Sequence, residues 1–96
     1  MSSATLIKMP QRFDYKASAA FNASLAAAIN DLDGADKKVV IDCAQMEYID
    51  SAGIGILIMA HKKSQNANAR LSMINITSAA KEIIIFANLQ KLIDIH

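Results

Sequence analysis

Short apolar, β-branched runs alternate along the chain with longer amphipathic stretches. Thr5-Leu6-Ile7-Lys8-Met9 is a brief apolar run closed by Pro10, which predicts an edge strand. Gln11 to Lys16 reads as a turn. Ser18 to Asp31 is alanine-rich, and Phe21, Leu25, Ala28, Ile29 and Leu32 recur at helical spacing, so one apolar helix face is expected, capped by Ser18. The polar stretch Asp33-Gly34-Ala35-Asp36-Lys37-Lys38 ends it. Val39-Val40-Ile41 is a continuous β-branched run, the pattern of a strand covered on both faces. A second helix is predicted from Asp50 or Ser51 to about Asn66, followed by a loop over Gln65–Ala69. Arg70–Asn75 then reads as a strand with Leu71, Met73 and Asn75 on one face. Ser78 is expected to cap a third helix through Ala87, with Asn88 near its end, against the strand propensity of Ile83-Ile84-Ile85. Ile93-Asp94-Ile95 predicts a last short strand. Strands alternating with helices point to one α/β domain over residues 1–96, a mixed β-sheet of about four strands packed against three to four helices.

Composition narrows the function classes. Of the 96 residues 53% are apolar and 20% charged, with a formal net charge of +1, which fits a folded chain rather than a disordered one. So small a charge lacks the electrostatic footprint of a nucleic-acid binder or a polybasic membrane anchor. The single cysteine, Cys43, forms no internal disulfide, and neither His61 nor His96 has a partner at metal-ligand spacing, so no metal and no cofactor are expected. The longest apolar stretch, Ala52 to Ala60, is half a membrane span at most, and the N-terminus shows no signal-peptide core; both predict a cytoplasmic protein without membrane insertion. No phosphate-cradling loop and no acid/base pair is present, which argues against an enzyme and leaves no catalytic residue to name.

The chemistry concentrates in Asp50-Ser51-Ala52-Gly53-Ile54-Gly55, where a strand leads into an apolar helix. The plain reading is that Ser51 or Asp50 caps the helix, a common use of both residue types. Two features go further. Glycine inside a helix costs roughly 1 kcal/mol relative to alanine, and Gly53 and Gly55 leave a side-chain-free surface around Ser51 that another protein's backbone can approach. Ile54, Ile56, Leu57, Ile58 and Met59 also surround the helix on nearly every side, more than a sheet covers. A hydroxyl here suits a switch. A phosphate adds about −1.5 to −2 charges at pH 7, which a helix N-terminus tolerates and a protein docked over it does not. Ser18, Ser24 and Ser78 read as caps or surface positions without this role.

Those residues resemble the STAS domain of the bacterial anti-sigma factor antagonist family. The resemblance spans about Thr5 to Ile95 and rests on Val39-Val40-Ile41-Asp42, on Tyr48-Ile49-Asp50-Ser51-Ala52-Gly53-Ile54-Gly55-Ile56-Leu57, on Ser78 through Ile95, and more weakly on Arg12-Phe13-Asp14. It implies partner switching that regulates transcription. An anti-sigma factor with Ser/Thr kinase activity binds the unmodified domain through Asp50–Gly55, phosphorylates Ser51 and is released, and a Ser/Thr phosphatase reverses the change. Family members commonly carry two strands before the first helix, where this chain shows one, so a smaller sheet with an altered edge is expected. The alternative that the resemblance carries is a STAS subunit of a membrane lipid- or anion-transport assembly, without phosphorylation. The edge strand and the apolar second helix leave the oligomeric state open.

Overall fold

The computed structural model describes residues 4–32 and 37–96, so Asp33 to Asp36 of the predicted polar break lie outside the described residues. Burial along the strands alternates with a period of two, and that period organises the fold. In β1 (Ala4–Lys8), β3 (Lys37–Asp42) and β5 (Ala69–Ile74), the side chains of Ile7, Val39, Ile41, Leu71 and Met73 are buried on one face. Leu6, Lys8, Val40, Asp42, Arg70 and Ser72 point to the other face and stay exposed or half-buried. Together with β6 (Asp94–Ile95) these strands form a sheet in the order β1-β3-β5-β6. Four strands in an α/β domain are as expected; every pairing among the described residues is parallel, which narrows the expected mixed sheet to a parallel one. Val39–Ile41 is likewise covered fully on one face only. The helix over Ser18–Asp31 packs on β1 and β3 and the helix over Ser51–Asn66 on β5, their buried residues joining Val39 and Ile41 in one core.

A second, separate ladder joins β2 (Arg12–Phe13) to β4 (Tyr48–Ile49), again in parallel. Sequence patterning reads Arg12-Phe13 as part of a turn, because two residues carry no period. Two strands therefore precede the first helix, although β2 stands outside the main sheet.

Three α-helices are described: α1 (Ser18–Asp31), α2 (Ser51–Asn66) and α3 (Ser78–Phe86). The expected caps shift by a residue or more. Ser18 does not cap α1; a 3₁₀ turn over Tyr15–Ala17 feeds straight into it, capped by Asp14, whose carboxylate accepts from the Lys16 N–H at 3.0 Å. Thr77, not Ser78, caps α3 by accepting from the Ala80 N–H. Asn68, Asn75 and Asn88 take positive φ and turn the chain out of α2, β5 and α3. Asn75 consequently leaves the face of Leu71 and Met73. Its side chain donates instead to the Asp42 carboxylate, which also accepts from the Ala44 N–H, tying the ends of β3 and β5 together.

Candidate functional site

The β4–α2 junction is built from Phe13 upward. Gln11 accepts the N–H groups of Glu47 and Tyr48 on its carbonyl, at 2.9 and 3.1 Å, which holds β2 beside β4. Arg12 lies over the Tyr48 ring at 4.3 Å and within 3.7 Å of Asp14. Phe13 then points inward, fully buried, and meets the Phe21 ring of α1 edge-on with centroids 5.1 Å apart. Directly above it runs the first turn of α2. A Cβ placed on Gly53 would stand 2.3 Å from the Phe13 carbonyl oxygen and 2.8 Å from Ile49 Cγ1. Gly53 is thus glycine because β2 passes beneath it. The expected open face around Gly53 is corrected: the residue is buried and serves internal packing.

Gly55 differs. A Cβ at this position would have no neighbour within 4 Å, and the residue is exposed. No contact inside the fold demands glycine there.

Asp50 is the helix cap, its Oδ1 accepting from the Gly53 N–H at 2.8 Å while its carbonyl accepts from Ile54 at 2.9 Å. Ser51 is therefore released from capping. It is the first helical residue, exposed, and among the described residues nothing bonds to its hydroxyl. The N–H groups of Ser51 and Ala52 remain without an intrahelical acceptor, as the geometry of a helix start requires. Ala52 is exposed and Ile54 half-buried, so Ser51, Ala52, Ile54 and Gly55 offer a low, neutral surface beside the Asp50 carboxylate.

Along α2, Gly53, Leu57, Ala60 and Ser64 form the buried stripe, and Met59 on the opposite side is half-exposed. The expected surplus of apolar surface is real but modest at this helix. A larger one sits on α3, which packs against β4 and leaves Ile83, Ile85 and Phe86 exposed, Phe86 at 91%. Sequence patterning passes over Phe86; its place one turn beyond Ile83 and two positions from the buried Ile84 is the signal that marks it as outward-facing.

Other candidate chemistry is quiet. Cys43 is buried, and burial, with a smaller contribution from the Asp42 charge, pushes its thiol up to about 12, so it stays protonated. The Ala44 N–H, then the Asn75 amide, hold the Asp42 carboxyl below its ordinary value. Among the described residues no group of three or more His, Cys, Asp and Glu gathers as a metal site, and no helix is long and apolar enough to cross a membrane.

Three solved proteins show what this architecture is similar to. The anti-sigma factor antagonist SpoIIAA, in its unphosphorylated form, matches with a TM-score of 0.76 at 15% identity, over 98% of this chain and 80% of that one. Its phosphorylated form matches with a TM-score of 0.68 at 17% identity, over 98% and 83%. An anti-sigma-factor antagonist (STAS) domain protein from Planctomyces limnophilus gives 0.80 at 17% identity, over 98% and 81%. A sulfate transporter family protein from Wolinella succinogenes gives 0.73 at 11% identity, over 94% and 71%. At such identities the likeness is one of fold. No curated protein matches the sequence itself. The family model for the STAS domain, in contrast, matches residues 2–96, and with nearly the whole chain inside that match the protein belongs to the STAS domain family.

Proposed function

We propose that this protein is a cytoplasmic anti-sigma factor antagonist that works by partner switching at Ser51. Unmodified, it docks an anti-sigma factor that is also a Ser/Thr kinase, through Asp50, Ser51, Ala52, Ile54 and Gly55, and so frees a sigma factor for transcription. The kinase transfers the γ-phosphoryl group of ATP to Ser51 Oγ: the new O–P bond forms, the bond to ADP breaks, and the hydroxyl proton passes to the kinase. A Ser/Thr phosphatase hydrolyses the ester and resets the surface. The protein is substrate and binder, with no catalytic role of its own.

The observation that carries this reading is the pairing of an unbonded, exposed Ser51 hydroxyl with a glycine, Gly55, that nothing inside the fold requires. A dianion on Ser51 sits near the positive end of α2, a contribution of roughly 0.3–1 kcal/mol in its favour, against which the neighbouring Asp50 carboxylate acts. The fold tolerates the modification, whereas a partner lying over the same spot must desolvate two extra charges. SpoIIAA, a fold neighbour, has been solved in both phosphorylated and unphosphorylated forms, which supports the same reading. The likeness to the Wolinella protein does not choose between switch and transport subunit; the free hydroxyl favours the switch.

The test is mass spectrometry of the protein from its native host, joined to affinity capture with Ser51→Ala and Ser51→Asp. Phosphate on Ser51 is expected, with an anti-sigma factor kinase retained by Ser51→Ala and bound at least about tenfold more weakly by Ser51→Asp, equivalent to about 1.4 kcal/mol. An unmodified Ser51, together with a Ser51→Asp variant that captures the same partner equally well, overturns the reading.

A further inference from the structure

The main sheet has an open edge, and its backbone is laid out to pair with itself. Among the described residues β1 is hydrogen-bonded only to β3 and forms one margin of the sheet. The Met9 N–H donates to the Asp42 carbonyl at 2.9 Å, which fixes the phase of the strand. Thr5 and Ile7 share that phase and turn their N–H and C=O groups toward β3; Ala4, Leu6 and Lys8 turn theirs outward. The outward residues are symmetric about Leu6. In an antiparallel pair of two β1 strands centred there, Leu6 bonds Leu6 of the second copy, Ala4 bonds Lys8, and Lys8 bonds Ala4. Each outward donor then meets an outward acceptor.

The side chains agree with that register. Leu6, 52% exposed, stacks on its own copy across the two-fold axis, which covers an apolar surface now in water. The one charge on the strand, Lys8, falls opposite Ala4, so no lysine faces a lysine. On the helix side a groove of about 420 Å³ runs beside the edge, walled by Ile7, Met9 and Pro10 and by Ala20, Phe21 and Ser24 of α1. Thr5 of the second copy stands opposite Ile7 and enters it. Ala20, Ser24 and Ala27, all exposed, follow one another down α1 at helical spacing and let the helix of the second copy approach. Pro10, the residue that would stop pairing, lies beyond the outward set.

We infer that two copies of this chain join along β1 into one continuous sheet with four strands from each copy. A two-fold axis through Leu6 runs the strands of the copies in opposite directions, so the two Ser51 sites point to opposite ends of the dimer and remain accessible together. The pairing is confined to one five-residue strand and the stripe of α1 beside it, so a reversible, concentration-dependent dimer is expected.

Sedimentation equilibrium of the purified protein from about 1 µM to 1 mM tests this directly. The wild-type mass is expected to rise with concentration from 10.4 kDa toward twice that value. Leu6→Pro removes one outward N–H without touching the bonds to β3, and it is expected to hold the protein at the monomer mass. Leu6→Lys and Leu6→Glu place like charges on the axis and each weaken self-association at least about tenfold, whereas an equimolar mixture of the two dimerises again. Leu6 is exposed enough for both charged variants to fold, which their far-ultraviolet circular dichroism checks, so the test stands even where the proline variant does not. A wild-type mass fixed at 10.4 kDa throughout, or charged variants that dimerise as the wild type does, overturns the inference.

Discussion

The inner and outer sides of the first turn of α2 carry the same residue types for opposite reasons. Inward, Gly53 lets the helix start settle on the Phe13 carbonyl, and Leu57 one turn later continues into the core. Outward, a Cβ on Gly55 would meet nothing beyond its own helix, the Ser51 hydroxyl has no bond among the described residues, and Ala52 adds only a methyl group. The inner glycine is a packing requirement. The outer one lowers helix stability with no return inside the fold. Two glycines in one motif thus separate into a structural half and a surface half, and only the second half is free to serve recognition.

Gly53→Ala breaks the comparison most strongly. The added methyl collides with backbone, which cannot rotate away as a side chain can, and overpacking of this kind costs typically 1–3 kcal/mol. The gain in helix propensity, about 1 kcal/mol, offsets part of it. A net loss of up to about 2 kcal/mol is expected, a drop in melting temperature of up to about 10 °C for a chain this size, read by thermal circular dichroism. A melting temperature at or above that of the wild type contradicts the inner role.

Asp50 comes next because it belongs to both sides. Asp50→Ala removes the cap and strands the part-buried Gly53 N–H, for a loss of about 1–2 kcal/mol in denaturant unfolding. Asp50→Asn keeps an acceptor at the same place and is expected within about 0.5 kcal/mol of wild type, since the two residues cap about equally well. The asparagine variant therefore isolates the charge. If it also binds the partner as the wild type does, the carboxylate acts only inside the helix.

How far these roles are legible in the chain itself varies with length scale. Helix α1 and strand β5 follow from their periods, β3 from its continuous β-branched run, α3 from its expected cap, and the strand-to-helix junction at Asp50-Ser51 from its residue types. The β2–β4 ladder does not, since Arg12-Phe13 and Tyr48-Ile49 are too short to show a period and acquire their pairing from Gln11 and Glu47, far apart in sequence. The purpose of Gly53 is hidden with it: without Phe13 beneath, an inner glycine and an outer one look alike. Which of Asp50 and Ser51 caps the helix is equally undecided by composition, because both side chains accept an N–H. The backbone settles it, placing Asp50 in the extended conformation that a cap needs and Ser51 already in the helix.

Gly55→Ala is the smallest change and the sharpest test of the division, because its two expected effects have opposite signs. With no atom beyond its own stretch of helix backbone within 4 Å, the methyl is accepted without strain, and the variant gains up to about 1 kcal/mol from helix propensity and a lower unfolded-state entropy. Its melting temperature rises by about 4–8 °C per kcal/mol gained. If a partner backbone lies against this spot, the same methyl holds it away and affinity falls, in a protein more stable than the one it came from. Loss of binding through unfolding is excluded by the sign of the stability change. A variant that is both more stable and equally able to bind would leave Gly55 without a purpose at the surface, and the docking face would then have to be sought at the exposed apolar residues of α3.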